Sequence, residues 1–259
     1  MSRLPREAGP DADPAARLRS MTQARVALGR SGAGLPTRPL LEFQRDHALA
    51  RDAVSAAFDP AAVAAALAPW PVVMAASRAA DRGAYLRRPD LGRRLDDESA
   101  TRLEPGDWDL AIVIADGLSA PAVHAHAAAV ALRLRDRLEG WRLAPVVLAS
   151  MARVALGDDI GERLGARMVL VLIGERPGLS AADSLGAYLT WSPTVGTLDS
   201  ARNCVSNIRP PHGLGYDAAA DTLAWLIAAA RRRSLTGVGL KDDSGGAPAL
   251  PPPSHRSVS

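Results

Sequence analysis

Three short apolar runs, at residues 110–115, 146–149 and 169–173, constrain the fold of this chain more than any other feature. Each is too short for an ordinary helix, carries β-branched residues and is bounded by polar, Pro or Gly residues, so each reads as a buried strand. Between and after them lie stretches with helical patterning, at about 119–138, 157–165 and 217–233. A helix is the usual crossover between parallel neighbours, so strands alternating with helices run the same way. The expected class is α/β, a mostly parallel sheet flanked by helices. Residues 72–76 and 185–191 supply further candidate strands.

The N-terminal part has another character. Residues 13–30 suit an Ala- and Arg-rich helix, broken by Gly32-Ala33-Gly34. A second helix is expected with Thr37 as N-cap and Pro39 in its first turn. Leu40, Phe43, His47, Ala50, Val54 and Phe58 recur along one face of it, and Asp59-Pro60 ends it. A short helix follows at 61–67. Residues 77–102 are charged and irregular and read as a surface excursion. Residues 1–12 and 242–259 bury too little apolar area to offset ordering entropy and are expected as flexible tails. The chain thus divides into an N-terminal helical extension at 13–100 and an α/β domain at 101–241, with a tail on each side.

Composition removes several function classes. With 259 residues the chain can build a sizeable core. It has no run of about 18 apolar residues and no apolar signal region at its start, so neither a membrane span nor secretion is expected, and a cytoplasmic location is the default. The net charge of +3 is spread over scattered Arg residues; Lys241 is the sole lysine. The clusters Arg93-Arg94 and Arg231-Arg232-Arg233 are short and lack interleaved aromatics, which argues against a nucleic-acid partner. A single cysteine, Cys204, excludes an internal disulfide and a thiolate zinc site made by this chain alone.

Ligands of a parallel α/β sheet gather outside the carboxyl ends of the strands. Asp116-Gly117-Leu118-Ser119 follows one strand, where Gly117 permits a tight turn and Ser119 caps the next helix. Gly174-Glu175-Arg176-Pro177-Gly178 follows another, and Glu175 is an acceptor for amide donors. It matches neither a Walker motif nor GxGxxG. Residues 199–211 are dense in hydrogen-bonding groups, among them Asn203, Cys204, Ser206, Asn207 and Arg209, and read as a polar loop. Each segment also fits a structural role: a βα turn, a loop ion pair, and for Cys204 a small buried hydrophobe. His124 and His126 lie two apart on a helix and face different ways, and His47 reads as a core histidine. No Ser-His-Asp or HExxH arrangement is present. The pattern suggests a binding chain with no catalytic or metal-ligating residue of its own.

Several of these segments, in this order, resemble the ethanolamine ammonia-lyase light chain. The likeness is carried by Leu35-Pro36-Thr37-Arg38, by Phe43-Gln44, by 48–54, by Ile114-Ala115-Asp116-Gly117-Leu118-Ser119-Ala120, by the segment GERPGLSAADSL at 174–185 and by Cys204-Val205-Ser206-Asn207-Ile208. It spans about residues 15–241. The resemblance implies a Rossmann-like domain that pairs with a larger, barrel-built heavy chain in a hetero-oligomer. It further implies that adenosylcobalamin lies between the two and that the heavy chain converts ethanolamine to acetaldehyde and ammonia. By motif, the cobalamin contacts fall on Val154, Glu175 and Cys204. The chain lacks a D-x-H-x-x-G element that would place a histidine on cobalt. Some relatives reside in a bacterial microcompartment; residues 1–12 show no evident address helix. The competing expectation is a freestanding α/β protein that binds a nucleotide or metabolite. The cobalamin reading expects Asp116, Glu175 and Cys204 toward one edge of the sheet.

Overall fold

Every residue of the run Ala111–Ala115 is buried, and its side chains divide between two faces. Ile112 and Ile114 join one apolar cluster, while Ala111, Val113 and Ala115 join a second, as the two-residue period of a strand requires. A strand covered on both faces needs a continuous apolar run, which is what this segment supplies. The computed structural model describes residues 14–22 and 24–243. In it this run is β2 of a six-stranded sheet with β1 (Val72–Ala76), β3 (Val146–Ser150), β4 (Met168–Gly174), β5 (Leu185–Trp191) and β6 (Arg202–Ile208). The spatial order is β1-β3-β2-β4-β5-β6.

The first four strands are parallel. The last two are not: β5 runs antiparallel to β4, and β6 antiparallel to β5. The sheet is therefore mixed, and the expectation of a mostly parallel one holds only for β1–β4. Residues 175–184, between β4 and β5, contain no helix and are fewer than the dozen or so that a parallel crossover needs. A direct reversal is the connection that remains.

Helices cover both faces. On one lie α3 (Pro60–Leu67), α7 (Ala128–Arg137) and α9 (Tyr216–Arg233), which bury Leu67, Leu134, Leu223 and Ile227. On the other lies α8 (Leu156–Leu164), with Leu156 and Ile160 buried beside Leu95 and Leu103. Burying a side chain of this kind contributes roughly 1.5–3 kcal/mol. Asp59 caps α3, accepting from the Ala62 amide, and Gly165 ends α8 in a left-handed conformation at φ 67°. Ahead of α7 come a single turn, α6 (Ala120–Ala122), and a π-helical segment at Val123–Ala127.

The N-terminal part departs from expectation in several ways. Helix α1 covers Pro14–Met21, and α2 covers Thr37–Ser55. Pro36 precedes α2 and no side chain caps it, so Thr37 is its first residue and not an N-cap. It stops before Phe58. Its apolar face is not core: only Ala53 is buried, and Leu40, Leu41, Phe43 and Leu49 are exposed. His47, expected in the core, is exposed and stacks on Phe43. Residues 77–102 are more than an excursion. They form α4 (Arg82–Arg87), a 3₁₀ turn at Leu91–Arg93 and α5 (Asp97–Thr101), and they bury Tyr85 and Leu95. The amide of Leu95 donates to Asp159 of α8 at 3.1 Å. No helix among the described residues is long and apolar enough to cross a membrane. Of the tails expected at 1–12 and 242–259, all but Asp242 and Asp243 lie outside the described residues.

Candidate functional site at the carboxyl edge of the sheet

The chain leaves β2 toward α7 on one face and leaves β3 toward α8 on the other. Turns that diverge in this way open a crevice at the strand ends. The backbone there is locked. Asp116 is buried, and its Oδ1 accepts from the Gly117 amide and the Ala152 amide, each at 2.9 Å. Burial pushes its pKa up, against these hydrogen bonds and the Arg82 charge. Gly117 has φ +57°, and a β-carbon on it would lie 2.3 Å from the Gly174 carbonyl oxygen. The Leu118 amide donates to that same oxygen at 2.9 Å. Only glycine allows the turn after β2 to pass so close to the end of β4.

Above this floor lie two adjoining depressions of about 390 and 310 Å³, which share Arg153, Val154 and Tyr188. Glu175 lines the first and Cys204 the second. The structure thus brings Val154, Glu175 and Cys204 to one groove, with Asp116 beneath it. They arrive by separate routes: Val154 on the turn after β3, Glu175 just past β4 and Cys204 on β6.

Glu175 is held by Ser184, whose hydroxyl donates to Oε2 at 2.5 Å, and by the Asn207 amide at 3.3 Å. Oε1 accepts no hydrogen bond from the described residues, which leaves it free for a donor in the groove. Cys204 is exposed on the groove wall, not the buried hydrophobe expected. It stands directly across from Tyr188 in the β5–β6 ladder. Partial burial pushes its thiol pKa up, although a hydrogen bond with Tyr188 pulls the other way. The thiol therefore stays protonated near neutrality and is a poor nucleophile.

Sequence reasoning missed the support for this wall. Tyr85 is fully buried between two guanidinium groups, Arg82 at 4.7 Å and Arg153 at 4.2 Å from its ring centroid. Its hydroxyl donates to the Ala152 carbonyl at 3.1 Å, and burial raises its pKa to about 12. Arg153 donates through Nη2 to the Tyr85 carbonyl at 3.0 Å, and its amide donates to the Gly92 carbonyl at 2.8 Å. The segment read as a surface excursion therefore clamps the loop that presents Val154. No local pattern signalled it: Tyr85 stands between Ala84 and Leu86 in a charged stretch that reads as surface.

The far wall rests on a buried ion pair. Arg202 meets Asp158 through two hydrogen bonds, at 2.6 and 2.7 Å, with both side chains almost wholly buried. Burial opposes the charge on Arg202, but Asp158 and Asp199 outweigh it and raise its pKa. The other polar residues of 199–211 are largely structural. This stretch is mostly strand β6 and not a loop. Asn203 ties the Gly237 amide and the Leu240 carbonyl, and Arg209 binds the Ser180 carbonyl at 2.9 Å. His124 and His126 face apart, as expected: the first is exposed, the second buried against the Tyr216 hydroxyl at 2.9 Å.

Comparison with known proteins agrees over nearly the whole chain. The family profile described as ethanolamine ammonia-lyase light chain matches residues 12–241. Relatives named ethanolamine ammonia-lyase small subunit include one from Bradyrhizobium diazoefficiens, 59% identical over 235 residues, which are 88% of this chain and 90% of its own. One from Xanthomonas campestris pv. campestris is 56% identical over 246 residues, covering 91% and 90%. One from Ralstonia nicotianae is 54% identical over 235 residues, covering 87% of each chain. The chain belongs to the ethanolamine ammonia-lyase light-chain family.

Proposed function

We propose that this chain is the small subunit of an adenosylcobalamin-dependent ethanolamine ammonia-lyase, and that the Val154–Glu175–Cys204 groove seats the cofactor against the large subunit. What supports this reading is the convergence of those three residues, from three distant segments, on one groove. The donor set fits the group. A corrin is rimmed with neutral amides, which match a carboxylate oxygen with no other donor, a guanidinium and exposed turn backbone. When bound, adenosylcobalamin supplies radical chemistry through its cobalt–carbon bond. The work of this chain is to position the group and exclude water. Glu175 Oε1 accepts from a peripheral amide, Val154 packs on the ring edge, and the protonated Cys204 makes a steric contact. The Rossmann-like part is β1–β4, and β5 and β6 add the wall that carries Tyr188 and Cys204. Substrate and catalytic groups lie on the large subunit, so the isolated chain does not deaminate ethanolamine.

The test is cobalamin titration of the complex reconstituted with the large subunit. Glu175→Ala leaves an amide donor unpaired, at a cost of about 1–3 kcal/mol, so affinity falls by roughly tenfold or more. Cys204→Ser retains both affinity and turnover at saturating cofactor. Unchanged affinity in Glu175→Ala, or a Cys204→Ser complex that binds cofactor but does not turn over, defeats this assignment.

A further inference from the structure

Helices α1 and α2 together bury one side chain, Ala53. A helix draws most of its stability in a protein from a packed apolar face. On α2 the residues Leu40, Phe43, His47, Ala50 and Val54 follow one another at spacings of three and four and form such a face, yet none of them joins either apolar cluster. Leu40, Phe43 and His47 are exposed, and the His47 ring stacks on Phe43. The Arg25 guanidinium lies 5.7 Å from the Phe43 centroid and pairs with Asp46 at 2.5 Å, which fixes one flank of the stripe and leaves Leu40 open. The end segments outside the described residues are poor in large apolar side chains: Met1 and Leu4 in 1–13, Leu250 and Val258 in 244–259.

The stripe is about 21 Å long at the rise of a helix, and its inner end is anchored. The Val54 carbonyl accepts from Arg82 Nε at 2.6 Å. The same guanidinium donates through Nη1 to the Gly117 carbonyl at 2.8 Å, and Gly117 lines the groove that seats the cofactor. One side chain thus separates the end of the stripe from the groove, and a chain laid over the groove meets the stripe next. The other side of α2 is different. Leu49, half a turn round the helix from Leu40, lines a separate cleft of about 570 Å³ between α2 and residues 179–183.

We propose that the Leu40–Val54 stripe of α2 is a surface by which this chain holds its large subunit, distinct from the groove that holds the cofactor. This deepens the functional reading above and rests on it. It divides the work of the chain: α2 grips the partner whether or not cobalamin is present, and the sheet edge positions the cofactor. An exposed Leu, a Phe–His stack and a flanking Arg are the residue types that protein interfaces favour at their centres.

The test measures association of the full chain with its large subunit, without cobalamin, by analytical ultracentrifugation. Leu40→Arg weakens association by about tenfold or more. Leu40→Ser, the milder change, loses affinity in the same direction and carries the comparison if Leu40→Arg does not fold. Leu49→Arg, the same change on the other side of the helix, associates as the wild type does. The proposal is overturned if the Leu40 variants associate normally, or if Leu49→Arg loses as much as Leu40→Arg. It is also overturned if Leu40→Arg turns a self-paired chain into a monomer and leaves affinity for the large subunit unchanged, since the occupant is then a second copy. A wild-type chain that does not bind the large subunit overturns the functional reading along with it. Normal wild-type binding that the Leu40 variants preserve overturns the stripe assignment alone.

Discussion

In β2 every side chain is buried, whereas in α2, a much longer element, only Ala53 is. Both segments carry the apolar pattern proper to their period, so the pattern alone does not separate core from surface. The difference lies in what surrounds them. The two faces of β2 are met by helices of the same chain; the face of α2 that carries Leu40 and Phe43 joins neither apolar cluster, and Phe43 is met by the Arg25 guanidinium, 5.7 Å from its ring centroid. Helical periodicity reports which residues share a side and is silent on whether a partner exists to cover it.

The comparison holds only if the sheet body is intolerant and α2 is tolerant. The largest effect is expected at Arg202. Arg202→Ala leaves Asp158 buried without its counter-ion, which costs about 3–5 kcal/mol, whereas paired replacement by apolar residues of similar volume costs far less. Urea unfolding of the three proteins measures this, and a single-mutant loss below about 1 kcal/mol, the worth of an ordinary surface pair, would contradict a closed body.

A smaller, pH-dependent effect is expected at His126, where the π-helical segment meets α9. Burial depresses its pKa below 6.5, against the opposing pull of Asp183. Below pH 6.5 the unfolded chain takes up a proton that the folded chain resists. Stability therefore falls as pH drops from 6.5 toward the folded pKa, then levels off. His126→Gln should flatten that decline between pH 7.5 and 5.5, read from urea midpoints; an unaltered slope would place the titration elsewhere.

The smallest effect is expected on α2. Leu40→Ser and Leu41→Ser should each shift the stability of the chain by no more than about 0.5 kcal/mol, the range for surface positions free of special contacts. A loss comparable to that of Arg202→Ala would mean that α2 belongs to the body after all.

The limits of sequence reasoning follow the same division. Strands β1 to β4 were legible because each is an uninterrupted apolar run, and the run length separates strand from helix. Strand β6 was not, because Arg202–Ile208 lies at the edge, where Asn203, Ser206 and Asn207 interrupt the pattern and a loop reads the same way. The antiparallel turn into β5 was recoverable from the shortness of 175–184. At the site, Glu175 was legible from its place at a strand end, and Val154 and Cys204 came through the family likeness. Tyr85 was not legible, since its role depends on a segment folding back over the turn after β3, a contact that no local pattern encodes.

That Tyr188 and Cys204 sit on the two final strands bears on how the protein is made. A ribosome releases β1 to β4 first, and these already provide the glycine turn and the Glu175 end. The opposite wall does not exist until β6 has left the exit tunnel. A nascent chain thus shows half a groove while residues 176–208 emerge, and a ligand that needs both walls has nothing complete to grip until β6 is out.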